Sequence, residues 1–200
     1  MKHTLSHFIF ILSLVVSISA YQQSGLDLSF IDEINREHAV DMFTPDDNVR
    51  QALLDLIEAE PKHIRVAMYF LIDPQIIKAL KEASLRDVKV DIVIDPSCPV
   101  RGIEKLGDDV RVNIYDISSG IMHHKFILFS GLKVLGEGSY NFTFSAQNKN
   151  RENFSFYLGT KEHGFCQKKY RNFSKRFKQL LGHSVSYEPD RMINQESAIA

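Results

Sequence analysis

Ile64-Arg65-Val66-Ala67-Met68-Tyr69-Phe70-Leu71-Ile72, followed by Asp73-Pro74 and then by Val88-Lys89-Val90-Asp91-Ile92-Val93-Ile94, is the stretch on which the fold turns. Residues 64 to 72 are rich in β-branched and aromatic side chains, the composition of a strand. Asp73-Pro74 opens a helix, because a proline in the first turn gives up an amide that the helix does not use. Ile76, Ile77, Leu80 and Ala83 then recur at helical spacing, and residues 88 to 94 form the next strand. Strand, helix and strand in this succession imply a βαβ unit and a sheet covered by helices.

Upstream, residues 40 to 44 read as a short strand. Pro45-Asp46-Asp47 offers a helix start before Val49, Leu53, Leu56 and Ile57, and Pro61 ends that helix. Downstream, residues 110 to 117, 123 to 129, 133 to 136 and 154 to 159 read as strands with shorter links, and Ser130-Gly131-Leu132 is a tight turn between two of them. A closing helix over 165 to 181 repeats Cys166, Tyr170, Phe173, Phe177 and Leu180 three or four apart, which makes those aromatics core rather than base-stacking platforms. There is no internal repeat. The expected fold is α/β: a mixed, largely parallel β-sheet with helices on both faces.

The chain has 200 residues, 44% hydrophobic and 24% charged, the make-up of an ordinary globular protein that can bury a core without a metal or disulfides. Lys2 and His3 precede an apolar run from 8 to 16, and Ser17-Ile18-Ser19-Ala20 supplies a small-x-small pattern. Residues 1–20 therefore read as a secretory signal peptide, and the run falls short of the roughly 20 residues needed to span a bilayer. An uncleaved anchor is the alternative. Residues 21–38 read as a polar leader, 39–187 as one folded domain and 188–200 as a C-terminal tail. Cys98 and Cys166 are the only cysteines, too few for a four-cysteine zinc site, and read as buried small side chains.

The net charge of -1 points to no anionic partner. Between 161 and 178, however, seven Lys or Arg face one acid, Glu162. A phosphate-rich ligand would feel that local excess, and a solvated helix face explains it equally well. Lys168, Lys169 and Arg171 are the candidate substrate contacts in this run.

The chemistry concentrates in Met122-His123-His124-Lys125-Phe126 and Gly138-Ser139-Tyr140-Asn141. Strand alternation puts His123 and Lys125 on one face with His124 turned away, and puts Ser139 and Asn141 together if their segment stays extended. Imidazole, ammonium, hydroxyl and amide would then surround one small anion.

This pattern resembles the phospholipase D superfamily, whose motif joins His-x-Lys to an aspartate after four residues and then to Gly-Ser/Thr-x-Asn. His123, Lys125, Gly138, Ser139 and Asn141 match, and Glu152 in Arg151-Glu152-Asn153 is similar to the family's histidine-orienting acid. The likeness extends through Tyr69-Phe70-Leu71 and 88 to 95, covers roughly 40 to 181, and is nearest to small single-motif members, bacterial periplasmic endonucleases and mitochondrial cardiolipin hydrolase. Two positions depart from the pattern. Ser130 stands where the family has aspartate, and a hydroxyl cannot supply a carboxylate's charge, although Glu137 could stand in for part of it. Asp87 replaces a usual glycine at a turn.

The resemblance implies a two-step displacement without metal or other cofactor, in which one histidine attacks phosphorus and a second protonates the leaving oxygen. Histidine, with an ordinary pKa of about 6.5, suits both tasks. Lys125, Asn141 and Ser139 would hold the non-bridging oxygens. With one motif per chain, the second histidine would come from another copy in a homodimer. The leading expectation is an exported endonuclease, periplasmic or secreted, acting on DNA or RNA. A phospholipase D or cardiolipin-type lipid hydrolase and an inactive nucleic-acid-binding homologue are the alternatives, the last because of Ser130.

Overall fold

The computed structural model describes residues 29 to 117 and 119 to 188. The expected signal segment and nearly all of the C-terminal tail lie outside the described residues. The central unit is β2 (His63–Met68), α3 (Pro74–Leu85) and β3 (Lys89–Ile94), preceded by α1 (Ser29–Glu37), β1 (Ala39–Phe43) and α2 (Val49–Ala59). Caps set both long helix starts. Asn48 accepts the Gln51 amide ahead of α2, and Asp73 accepts the amides of Gln75 and Ile76 ahead of α3. The α2 start thus falls later than Pro45-Asp46-Asp47, because Asn48 supplies the capping oxygen.

After β3 come α4 (Val100–Ile103), β4 (Arg111–Tyr115), β5 (Lys125–Phe129), β6 (Val134–Gly138), α5 (Phe144–Asn148), β7 (Asn153–Leu158), α6 (Gly164–Gly182) and β8 (Ser184–Ser186). All eight strands join one sheet in the order β1-β7-β6-β5-β2-β3-β4-β8. The expectation of a largely parallel sheet is corrected here. Only β2–β3 and β3–β4 run parallel, and the five other pairings are antiparallel. The link from β5 to β6, residues 130 to 133, is too short to return the chain to the same end of the sheet, so β6 must reverse direction.

Helices cover both faces. Ile64, Val66, Met68, Ile127 and Phe129 meet the side chains of α1, α2 and α3, among them Ile34, Leu53, Leu56 and Leu80. Ala67, Val93, Phe126, Leu128 and Leu135 meet Tyr170, Phe177 and Leu180 of α6, with Phe173 packed alongside. The aromatics of α6 are therefore core, as their spacing indicates. Residues 29 to 37, read as part of a polar leader, form α1, which buries Phe30 and Ile34 against the sheet. Cys98 and Cys166 are buried and unpaired. Among the described residues no helix is long and apolar enough to cross a membrane.

Candidate active site

The parallel strands β2 and β3 end where β5 begins, since Met68 pairs with Lys125 in the antiparallel register. His123 and His124 lie just before β5 rather than within it, so strand alternation alone does not fix them. Tyr69 does. Its amide donates to the His124 carbonyl, and its ring meets the His123 imidazole edge-on with centroids 4.7 Å apart. The Lys125 ammonium lies 5.2 Å from the centre of the same ring and donates to the His123 carbonyl. His123 and Lys125 are therefore joined on one side. His124 turns the other way, with its ring edge-on to Phe126.

Gly-Ser-x-Asn follows β6 closely. At Gly138 a Cβ would run into the Asn153 carbonyl of β7, so only glycine lets these strands approach here. Ser139 donates to the Glu152 carboxylate at 2.6 Å and accepts the Asn153 amide. Tyr140 is fully buried, and Asn141 beyond it accepts the Phe70 amide. Because Phe70 stacks on Tyr69, a continuous set of contacts runs from Asn141 through Phe70 and Tyr69 to His123 and Lys125.

Electrostatics separates the two sides. Lys125 is 7% exposed, and its burial lowers the ammonium pKa, an effect that the Glu152 carboxylate opposes. The pKa of His124 is lowered by burial first and then by the charges of Arg176, Lys125 and His123. A cavity of about 310 Å³ opens beside these groups, lined by His123, His124 and Lys125 from the β5 end, Glu137 and Gly138 from β6, and Asn172, Phe173 and Arg176 from α6.

Of the candidate residues, His123 and Lys125 line this cavity, whereas Ser139, Asn141 and Glu152 lie at the same end of the sheet outside its lining. The basic candidates do not line it either. Lys169 pairs with Glu137 and lies 4.0 Å from the Tyr157 ring centre, which ties α6 to the sheet. Lys168 and Arg171 are exposed and do not line the cavity. Arg176 does, five residues beyond Arg171, and neither motif marks it. Tyr69 and Asp95 also went unassigned in the sequence, although both stand at C-terminal ends of parallel strands, where α/β proteins carry their ligands.

Ser130 follows the last residue of β5, whereas Lys125 is its first. Five residues of strand at about 3.3 Å each separate the two by roughly 17 Å. Ser130 accepts from the Arg65 guanidinium, which also donates to Tyr170 and Ser174 under α6. The missing motif carboxylate is therefore a loss at the far end of the strand and not beside His123 and Lys125. Glu137 cannot replace it, since it faces Phe126 across β5–β6 and pairs with Lys169.

An open mixed sheet with imidazole, ammonium, hydroxyl and amide converging on one strand end defines a phosphate-handling α/β protein. Comparison with known proteins makes this specific. Residues 53–181 match the family described as "Cardiolipin synthase, PLD-like domain". Phospholipase D of Rickettsia prowazekii is 31% identical over 144 residues, covering 70% of each chain. Mitochondrial cardiolipin hydrolase of Xenopus laevis is 33% identical over 107 residues, 50% of this chain and 49% of that one. The crystal structure of Nuc from Salmonella typhimurium, a phospholipase D family member, superposes with a TM-score of 0.65 at 25% identity, over 75% of this chain and 97% of Nuc. The chain belongs to the phospholipase D superfamily.

Proposed function

We propose that the protein is an exported endonuclease that cleaves DNA or RNA without a metal, through a phosphohistidine intermediate. The observation that carries the reading is the shared Tyr69 ring, which holds the His123 imidazole beside the buried Lys125 ammonium. In the first step a His123 nitrogen forms a bond to phosphorus as the P–O bond to the leaving group breaks, and a second histidine gives that oxygen a proton. Water then attacks phosphorus, the N–P bond breaks, and the second histidine takes the water proton. Lys125 offers its positive charge to the non-bridging oxygens, with Ser139 and Asn141 alongside. Glu152 supports this arrangement by accepting from Ser139 and by favouring the charged form of Lys125.

The second histidine is assigned to another copy of the chain, so the working unit is a two-fold dimer. The signal-peptide pattern over 1–20 supports export to a periplasmic or extracellular space, and the lysine- and arginine-rich α6 supports a polyanionic substrate. A lipid substrate is the second reading. It is favoured by the names of the Rickettsia and Xenopus relatives and by Ile121, an exposed apolar side chain two residues before His123. The inactive-homologue reading loses its basis, since Ser130 is remote from Lys125.

The deciding assay incubates purified protein and His123→Ala with plasmid, single-stranded DNA and RNA in EDTA, and with cardiolipin and phosphatidylcholine vesicles. Nucleic acid cleavage that survives EDTA and vanishes in His123→Ala is expected. Release of phosphatidic acid with nucleic acids intact would establish the lipid reading instead, and loss of all activity on chelation would remove the metal-free route. Sedimentation should give a dimer, and a fully active monomer would overturn the shared site.

A further inference from the structure

A second recess, about 320 Å³, lies on the far side of Arg176 from the cavity just described. Arg176 lines both. On one side it reaches the surroundings of His124, whose pKa its charge lowers, and on the other it stands with Tyr115, Gln179 and His183. The two recesses meet at Arg176 and together mark out a track that starts at the β5 histidines and runs along α6. From Asn172 to His183 it follows eleven residues of helix and its cap, about 16 Å, which makes an elongated track rather than a point site.

The chemistry changes along this track. Arg176 has no carboxylate partner among the described residues, so its guanidinium is available to a phosphate as a bidentate donor. Beyond it the groove reaches the C-terminal end of α6, where the helix dipole places partial negative charge and disfavours another anion. What the far recess offers instead is the half-buried Tyr115 ring and the polar side chains of Gln179 and His183. A ring face with amide and imidazole beside it suits a nucleobase.

We propose that this groove holds the nucleotide next to the scissile phosphodiester of a single-stranded nucleic acid, with Arg176 on its phosphate and Tyr115 against its base. The assignment rests on the endonuclease reading and deepens it. Single strands are specified because a base inside a duplex cannot present its face to Tyr115.

The test runs two measurements side by side. Hydrolysis of bis(4-nitrophenyl) phosphate, a diester with no neighbouring nucleotide, reports the reacting centre. Fluorescence anisotropy of a labelled oligothymidylate, titrated with wild type, Arg176→Gln, Tyr115→Leu and Tyr115→Phe, reports the groove. Arg176→Gln is expected to raise the Kd about tenfold and to reduce the salt slope by about one. Tyr115→Leu is expected to raise the Kd at least about fivefold, with Tyr115→Phe restoring it, since a stacked base contributes on that scale and needs the ring rather than the hydroxyl. Thermal melts of each variant separate lost binding from lost folding. Oligonucleotide affinity within twofold of wild type in both Arg176→Gln and Tyr115→Leu, when the wild type hydrolyses the small diester, overturns the groove and leaves the endonuclease reading standing. Equal affinity for a duplex of the same length overturns the single-strand assignment. A wild type that hydrolyses neither the small diester nor any nucleic acid overturns the functional reading itself.

Discussion

The Asp95 carboxylate accepts the Met122 amide at 2.6 Å, tying the end of β3 to the residue before His123. Asp95 is 2% exposed, and its other oxygen accepts from both the amide and the hydroxyl of Ser97. None of the described residues from 116 to 124 belongs to a helix or strand, so this buried carboxylate and the Tyr69 contacts are what hold His123.

Asp95→Asn is accordingly expected to slow the enzyme without unfolding it. Whichever way the amide turns, its NH2 faces a backbone N–H, leaving a buried donor unpaired at a cost of about 1–3 kcal/mol. Part of that cost is relieved by shifting Met122 and the adjoining histidine. Steady-state kinetics should show kcat falling about tenfold with KM within about twofold, because orientation of the attacking group and not substrate binding is disturbed. An unchanged kcat would mean that Tyr69 alone positions His123.

The pH profile offers a second prediction. Lys125 can serve the phosphate only while protonated, burial lowers its pKa, and the Glu152 carboxylate works against that lowering. Removing the negative charge in Glu152→Gln takes away a stabiliser of the ammonium, so the Lys125 pKa falls further. The alkaline limb of kcat/KM should therefore move to lower pH in Glu152→Gln, with lower activity on the plateau because Ser139 loses its charged acceptor. A limb that stays in place would show that Lys125 does not govern it.

Ser130 yields a stability prediction. The Arg65 guanidinium meets three hydroxyls, those of Ser130, Tyr170 and Ser174, while its buried Nε–H finds no acceptor. An aspartate at 130 would supply a carboxylate to that group. Ser130→Asp should stabilise the protein by about 1 kcal/mol, a rise of roughly 2–4 °C in Tm by calorimetry. Its kcat/KM should remain within about twofold of wild type, since the change lies at the opposite end of β5 from Lys125. A gain in activity larger than tenfold would mean that the motif carboxylate acts on the phosphate after all.

These cases show what a linear sequence carries. The β2-α3-β3 unit is legible because each of its signals is local: a β-branched run, a capping Asp73 beside Pro74, and apolar residues at helical spacing. The gathering of His123, Lys125, Ser139 and Asn141 is legible through motif spacing. Sheet direction is harder, since it depends on which strands become neighbours, and β1 ends beside β7 although more than a hundred residues separate them. The helix over 29 to 37 is masked by its charges, with Phe30 and Ile34 buried and Ile31 packed beside them. Asp95 and Arg176 have no local signature at all. Asp95 matters through an amide 27 residues away, and Arg176 through the packing of α6 against the sheet.

The last prediction concerns acid stability and rests on Asp91, which is 2% exposed on β3. Its oxygens are hydrogen-bonded with His63 at 2.8 Å and Arg111 at 2.6 Å, and the Lys89 ammonium lies 3.3 Å away. Burial by itself would raise this carboxyl, but the bonds with His63 and Arg111 outweigh it and hold the group well below the usual carboxylate range. A pKa that is lower in the folded than in the unfolded chain, where it is about 3.9, means that the ionised group adds stability at any pH above that value. The contribution then drains away as pH falls from about 4 toward the folded pKa. Asp91→Asn removes it outright. Because Arg111 and Lys89 remain largely solvated, the expected loss near pH 7 is about 2 kcal/mol rather than the larger cost of breaking a wholly buried pair. Denaturant titrations at pH 7, 5 and 3 should therefore show the gap between wild type and Asp91→Asn narrowing between 5 and 3. A gap that stayed constant across all three would assign the stabilisation to packing of the side chain and not to its charge.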